Sequence, residues 1–177
     1  RITVHNSQGF SEATVDVTTD PIDTVFVSAT GDDGAGGRTD TSPVASLTKA
    51  LALASADGTI KMAGGTYSET PTVNSGVTIE GGYSSDFSTR DTDANRTIIE
   101  QTDVAQVLLV DNATGFTLDG SDIRNTSDLT GENFNVALFI RGSAGTVTGS
   151  WVYSSVHYSF VGVVIEENSD ITIDNSH

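Results

Sequence analysis

Val107-Leu108-Leu109-Val110, Asp111-Asn112-Ala113-Thr114 and Gly115-Phe116-Thr117-Leu118-Asp119-Gly120-Ser121 read as an apolar strand, a polar turn, and an alternating strand ending at a corner. The phrase returns as Ala137-Leu138-Phe139-Ile140, Arg141-Gly142-Ser143-Ala144 and Gly145-Thr146-Val147-Thr148-Gly149-Ser150. It comes a third time as Gly162-Val163-Val164-Ile165, Glu166-Glu167-Asn168-Ser169 and Asp170-Ile171-Thr172-Ile173-Asp174-Asn175-Ser176. Leu118, Val147 and Ile173 are the equivalent positions, 29 and 26 residues apart. A period of that length, built of short strands without a helix, predicts the coils of an all-β solenoid.

Stacked coils place like residues on like. Ile79, Leu118, Val147 and Ile173 are therefore expected in one interior file, with Val77, Phe116 and Ile171 beside it. Thr78, Thr117 and Thr172 are expected in a polar file outside. Burying each aliphatic side chain contributes about 1.5–3 kcal/mol, and contacts run only between neighbouring coils.

Working toward the N-terminus, Val77-Thr78-Ile79-Glu80-Gly81-Gly82 matches the Phe116-to-Ser121 unit, so the repeat reaches the front of the chain. Between the two copies, Tyr83 to Arg96 is a polar excursion, and Asn125 to Asn135 is a second one. Such insertions emerge from coils as loops, where function concentrates. Further forward, Ser46 reads as an N-cap, Leu47, Ala50, Leu51 and Ala54 as one apolar face, and Gly58 as the end of a helix. A solenoid needs its exposed end covered, and this helix is the expected cap. Ile2 to His5 and Ala13 to Thr18 read as two strands before a linker that ends at Pro21. The expected division is thus residues 1–20, the last strands of a preceding domain with a linker, and residues 21–177, the N-terminal part of the coiled domain. The chain reads as a piece of something longer.

Twenty-four Asp and Glu against eight Lys and Arg give a net charge of −16. Such a field repels phosphate backbones and anionic lipid, which argues against nucleic acid and membrane-surface binding, and no transmembrane run is present to suggest membrane insertion, while calcium is an acceptable partner. Zero cysteines exclude disulfides, thiolate metal sites and thiol catalysis.

The run from Val25 to Gly82 carries a Val-Phe-Val-Ser strand, a Gly/Asp loop, Ser42-Pro43, and a helix beginning Ser46-Leu47-Thr48-Lys49-Ala50-Leu51. Ala63-Gly64-Gly65-Thr66-Tyr67 and Gly76-Val77-Thr78-Ile79-Glu80-Gly81-Gly82-Tyr83 follow. This order resembles the entry segment of the right-handed parallel β-helix, pectate-lyase-like superfamily in its secreted bacterial form. Gly81-Gly82-Tyr83-Ser84-Ser85-Asp86-Phe87 is also similar to surface-exposed bacterial repeat proteins of the polymorphic outer-membrane type. The first strands resemble the tail of a bacterial immunoglobulin-like domain. The resemblance implies an all-β right-handed parallel β-helix with an N-terminal capping α-helix, on an extracellular or cell-surface bacterial protein. It does not imply an activity, because the superfamily holds lyases, hydrolases, tailspikes and adhesins.

Three constellations are candidates for function. Asp32, Asp33 and Asp40 lie in a flexible glycine loop and are candidate calcium ligands, though without EF-hand spacing; a solvated loop neutralised by Arg38 is the competing reading. Asp86, Arg90, Asp91, Asp93 and Arg96 predict a surface loop pinned by ion pairs with Tyr83 and Phe87 against the coil, or an ion or glycan site. Trp151, Tyr153 and Tyr158, with His157 and Phe160 nearby, form an aromatic stretch. Trp151 falls by the repeat on Asp122, an outward position, so the stretch is a candidate surface for stacking sugar rings. Otherwise Tyr153 and Phe160 fill the core.

For catalysis, Asp119, Asp122 and Asp174 could share one outer face, as glycoside hydrolysis requires, but Thr148 interrupts the row. Arg124 and Arg141 sit in no recognisable lyase motif. The expected role is a structural or adhesive module binding a polysaccharide, a cell-surface glycan or calcium. A polysaccharide lyase or glycoside hydrolase, and a self-assembling subunit, are the alternatives.

Overall fold

The structure, a computed structural model, describes residues 4–6, 9–11, 20–102, 104–126, 135–154, 160–166 and 168–177. β1 (Val4–Asn6) and β2 (Gly9–Ser11) pair antiparallel as a hairpin. The second strand expected at residues 13–18 lies outside the described residues. Next come β3 (Ile22–Val27), α1 (Leu47–Leu53) and β4 (Ala54–Ala63).

From there the chain proceeds in threes. β5 (Gly65–Ser68), β6 (Thr72–Val73) and β7 (Thr78–Tyr83) make one coil. β8 (Thr97–Gln101), β9 (Gln106–Asp111) and β10 (Thr114–Asp119) make the next. β11 (Ser121–Asn125), β12 (Asn135–Arg141) and β13 (Ala144–Thr148) follow, then β14 (Trp151–Ser154), β15 (Phe160–Ile165) and β16 (Asp170–Asp174).

Each strand pairs in parallel with its counterpart one coil on, which generates three sheets. Their orders are β16-β13-β10-β7-β4-β3, β14-β11-β8-β5 and β15-β12-β9-β6. The described chain is mostly β, with parallel sheets and one helix, an arrangement consistent with a parallel β-helix solenoid.

The side chains stack as the repeat requires. Val25, Ile60, Ile79, Leu118, Val147 and Ile173 are register partners in succession. All are buried except Ile173, which lies on the last strand of its sheet and is 48% exposed. Outside runs an unbroken file of Thr24, Thr59, Thr78, Thr117, Thr146 and Thr172. Threonine suits a half-buried pleat, with its branched carbon in the sheet and its hydroxyl toward water. In the second interior file Phe116 is paired with Gly145. A Cβ at Gly145 would land on the Phe116 carbonyl oxygen and 2.5 Å from the ring Cδ1, so the phenyl ring takes the space of two side chains.

Corners repeat as faithfully as strands. Gly120, Gly149 and Asn175 occupy the left-handed region (φ 69°, 54° and 47°), which Gly and Asn enter at least cost. Each precedes a serine. Ser121 N donates to Ser150 Oγ at 3.2 Å, and Ser150 N to Ser176 Oγ at 3.3 Å. Ser150 Oγ in turn donates to the Thr148 carbonyl at 2.8 Å. The backbone amides at these corners are thus satisfied coil to coil, while among the described residues the buried Ser121 hydroxyl has no partner.

The helix begins where expected and ends early. Ser46 Oγ accepts from Lys49 N at 3.1 Å. α1 stops at Leu53 instead of running toward Gly58, because Ala54 is drawn into the ladder opposite Ile22. Asp57 (φ 63°) and buried Gly58 then carry a register shift that sets Thr59 opposite Thr24. Gly58 therefore serves a bulge in β4, not a helix end. Leu47 and Ala50 are buried with Val25, Val27 and Val44 in the core, and α1 packs on β3 and β4 where that sheet ends. At the other end of the coils, Ile165 (44%) and Ile173 are exposed.

Candidate functional site

The outer face of the β14-β11-β8-β5 sheet brings the aromatic residues together with two arginines. Alternation along β11 turns Ser121, Ile123 and Asn125 inward, leaving Asp122 and Arg124 on the outer side. In register with them on β14 stand Trp151 and Tyr153, which are 54% and 48% exposed. On β8 the corresponding pair is Ile98 and Glu100.

Asp122 is buried from the outside, beneath side chains rather than within the coil. Its Oδ2 accepts from Arg96 Nε at 2.9 Å, from Arg96 Nη2, and from Arg124 Nη2 at 2.9 Å. The Arg96 guanidinium lies 5.9 Å from the Trp151 ring centre, within cation–π range. On the same indole the His177 ring sits edge-on at 5.1 Å. Arg96, Arg124, Trp151 and Tyr153 line a cleft of about 300 Å³. A second cleft of about 150 Å³ shares Arg96 and Trp151 and is closed by Thr92, Asp93, Asp122 and neighbouring corners.

Arg96 arrives there by way of the excursion after β7, which is ordered by its own polar contacts. Asp86 Oδ1 accepts from Ser84 Oγ at 2.6 Å, Ser88 Oγ at 2.8 Å and Ser88 N at 3.2 Å. The two hydroxyl bonds, with the Ser88 amide, hold the Asp86 carboxyl down to about 2. Arg90 donates from Nε to the Gly81 carbonyl at 2.8 Å and pairs with Asp119 at 2.8 Å. Phe87 adopts φ 57° and sets its ring edge-on to Phe26 at 5.1 Å, beside Tyr83 at 6.2 Å. Burial, together with the bond its hydroxyl donates to Glu80 at 2.6 Å, pushes the Tyr83 phenol up to about 12. The expected loop, pinned by ion pairs with Tyr83 and Phe87 against the coil, is present.

The acidic loop serves the helix. Asp33 Oδ1 accepts from Ala45 N (2.8 Å) and Ser46 N (3.0 Å), and its Oδ2 from Ser46 Oγ (2.8 Å). Desolvation acts to raise the Asp33 carboxyl, but these bonds and nearby Lys49 outweigh it and leave it below the usual value. Asp32 Oδ1 accepts from Gly34 N at 2.8 Å, and Asp40 is exposed. Arg38 donates to the Asp20 carbonyl at 2.9 Å instead of neutralising a loop carboxylate. Among the described residues no group of three or more His, Asp or Glu is placed to hold a metal ion.

Of the other sequence candidates, Asp119 is paired with Arg90, and Asp174 is separated from it by Thr148 in register. Tyr158 and His157 lie outside the described residues, as does the side chain of Phe160. Tyr153 does not fill the core. Arg96 and Arg124 are the site residues missing from the aromatic candidate set. A signal for Arg124 was present: Asp122 and Arg124 align with Trp151 and Tyr153 through the 29-residue step. Arg96 stood among the excursion candidates, but no repeat position joined it to the aromatic stretch.

A family model described as a protein of unknown function, DUF1565, matches residues 29–175. The chain belongs to the DUF1565 family. The DUF1565 span takes in α1, every coil and both clefts, so the aromatic and arginine face lies within the family's own region. The comparisons with curated proteins and with solved structures each returned no match. Among the described residues of this DUF1565 chain, no helix is long and apolar enough to cross a membrane.

Proposed function

We propose that this chain is an adhesive module of a secreted or cell-surface bacterial protein, a right-handed parallel β-helix of pectate-lyase-like type that binds glycan on one outer face. The observation that carries the reading is the adjacency of Trp151 and Tyr153, both half-exposed on β14 beside a cleft. Two residues apart on one strand, they project from the same side of the sheet with their Cα atoms about 7 Å apart. Exposed aromatic faces fixed on a rigid sheet stack sugar rings at little entropic cost, while Arg96, Arg124 and the indole N–H supply polar donors. Asp122 is engaged by two arginines, which favours a binding role over hydrolysis for this face.

Screening the protein and Trp151→Ala against a glycan array tests the reading. Binding by the wild type that is lost in the variant is expected. Equal signals from the two proteins end the proposal.

A second reading draws on the last coil. The edges of β15 and β16, with Ile165 and Ile173 exposed on them, favour stacking on a further coil, whereas Val152 N on β14 already donates to the His177 carbonyl. Light scattering across a concentration series tests for such self-association, and a monomer at every concentration removes a second copy as the partner.

A further inference from the structure

We infer that the cleft selects sugars bearing a fixed anionic group, a sulfate half-ester or a carboxylate, through Arg96 and Arg124; this rests on the glycan reading. Two guanidiniums converge on one oxygen of Asp122, so that carboxylate alone does not neutralise both. Among the described residues, Arg96 Nη1 and Arg124 Nε and Nη1 have no acceptor, while both side chains line the cleft. Donors without acceptors, held in a fixed fork by a buried carboxylate and by the Trp151 ring, are preorganised for an oxyanion.

The setting sharpens the argument. In a chain with three acids for every base, two of eight basic residues meet at one aromatic cleft. Glu100 stands in register with Arg124, and Asp93 borders the adjoining cleft, so the local field is not broadly cationic. An anionic sugar is therefore recognised by contact rather than drawn in from a distance. With −16 on the whole chain, polyanions are otherwise repelled, so adventitious retention of an acidic polymer is suppressed.

The test uses the whole chain with three probes of one backbone and equal length: dextran, carboxymethyl-dextran and dextran sulfate, in affinity electrophoresis at physiological salt. At least one acidic dextran is expected to bind tenfold or more tighter than dextran, and the tighter of the two identifies the anionic group. Arg96→Gln and Arg124→Gln are each expected to reduce that preference to threefold or less. Arg124→Lys, which retains the charge beside Asp122 and controls for folding, is expected to lose most of it. Equal binding of all three probes, abolished by Trp151→Ala, overturns the acidic preference and leaves the glycan reading standing. Retention of acidic dextran that survives Trp151→Ala, or no retention of any probe, overturns both.

Discussion

Arg96, the residue before β8, reaches across β11 to bring its guanidinium 5.9 Å from the centre of the Trp151 ring on β14. Its anchor on the way is Asp122, whose carboxylate it shares with Arg124. One side chain from the excursion thus ties three successive coils together on their outer face. In a fold whose contacts otherwise join only neighbours, such a tie reaches one coil beyond the nearest.

Replacing Asp122 by Ala releases both arginines. The expected loss of stability is about 1–2 kcal/mol, below that of a fully buried pair because Arg96 is half-exposed. Trp151 is the sole tryptophan, so its emission reports the same event. Asp122→Ala and Arg96→Ala are both expected to shift the emission to the red; an unchanged spectrum contradicts the stacked arrangement.

Gly145→Ala drives a methyl group into Phe116 and is expected to cost about 1–3 kcal/mol in urea unfolding. Phe116→Leu also destabilises, through lost burial. Phe116→Leu clears the ring atoms from the new methyl, though not the Phe116 carbonyl, so the double variant is expected to be partly relieved and more stable than the sum of the single losses implies. Additive losses contradict the shared space.

Ser150→Ala removes the acceptor of the Ser121 amide and the bond to the Thr148 carbonyl at a buried corner. A loss of about 1–3 kcal/mol is expected. Ser176→Ala, at the exposed end of the same ladder, is expected to cost less. Melting temperatures in that order check the ladder.

At the helix, Glu69 accepts from Leu47 N at 2.7 Å and Thr48 N at 2.9 Å, completing what Ser46 and Asp33 begin. Glu69→Ala is expected to cost about 0.5–2 kcal/mol. Asp33 adds a pH dependence. Its folded carboxyl lies below the ordinary 3.8, so its contribution is present above that value and fades as pH falls through the lowered one. The stability gap between wild type and Asp33→Asn is therefore expected to be full at neutral pH and closed in strong acid. At neutral pH the gap is expected to be the same in calcium and in chelator, since both Asp33 oxygens are occupied by the helix entry. A gap that widens in calcium points to a metal.

The repeat was legible because parallel in-register stacking turns equivalence in sequence into adjacency in space. Ile79, Leu118, Val147 and Ile173, the outer threonines, the start of α1 at Ser46 and the outward position of Trp151 could all be read from residue order. What the tertiary structure alone decided is every contact that breaks the period. Glu69 caps a helix 22 residues earlier, and Arg96 finds a carboxylate 26 residues later. The ladder with β3 ends the helix at Leu53. A repeat relates only equivalent positions, whereas these partners are joined by how a loop closes over the coil, which depends on the folded surface beneath it.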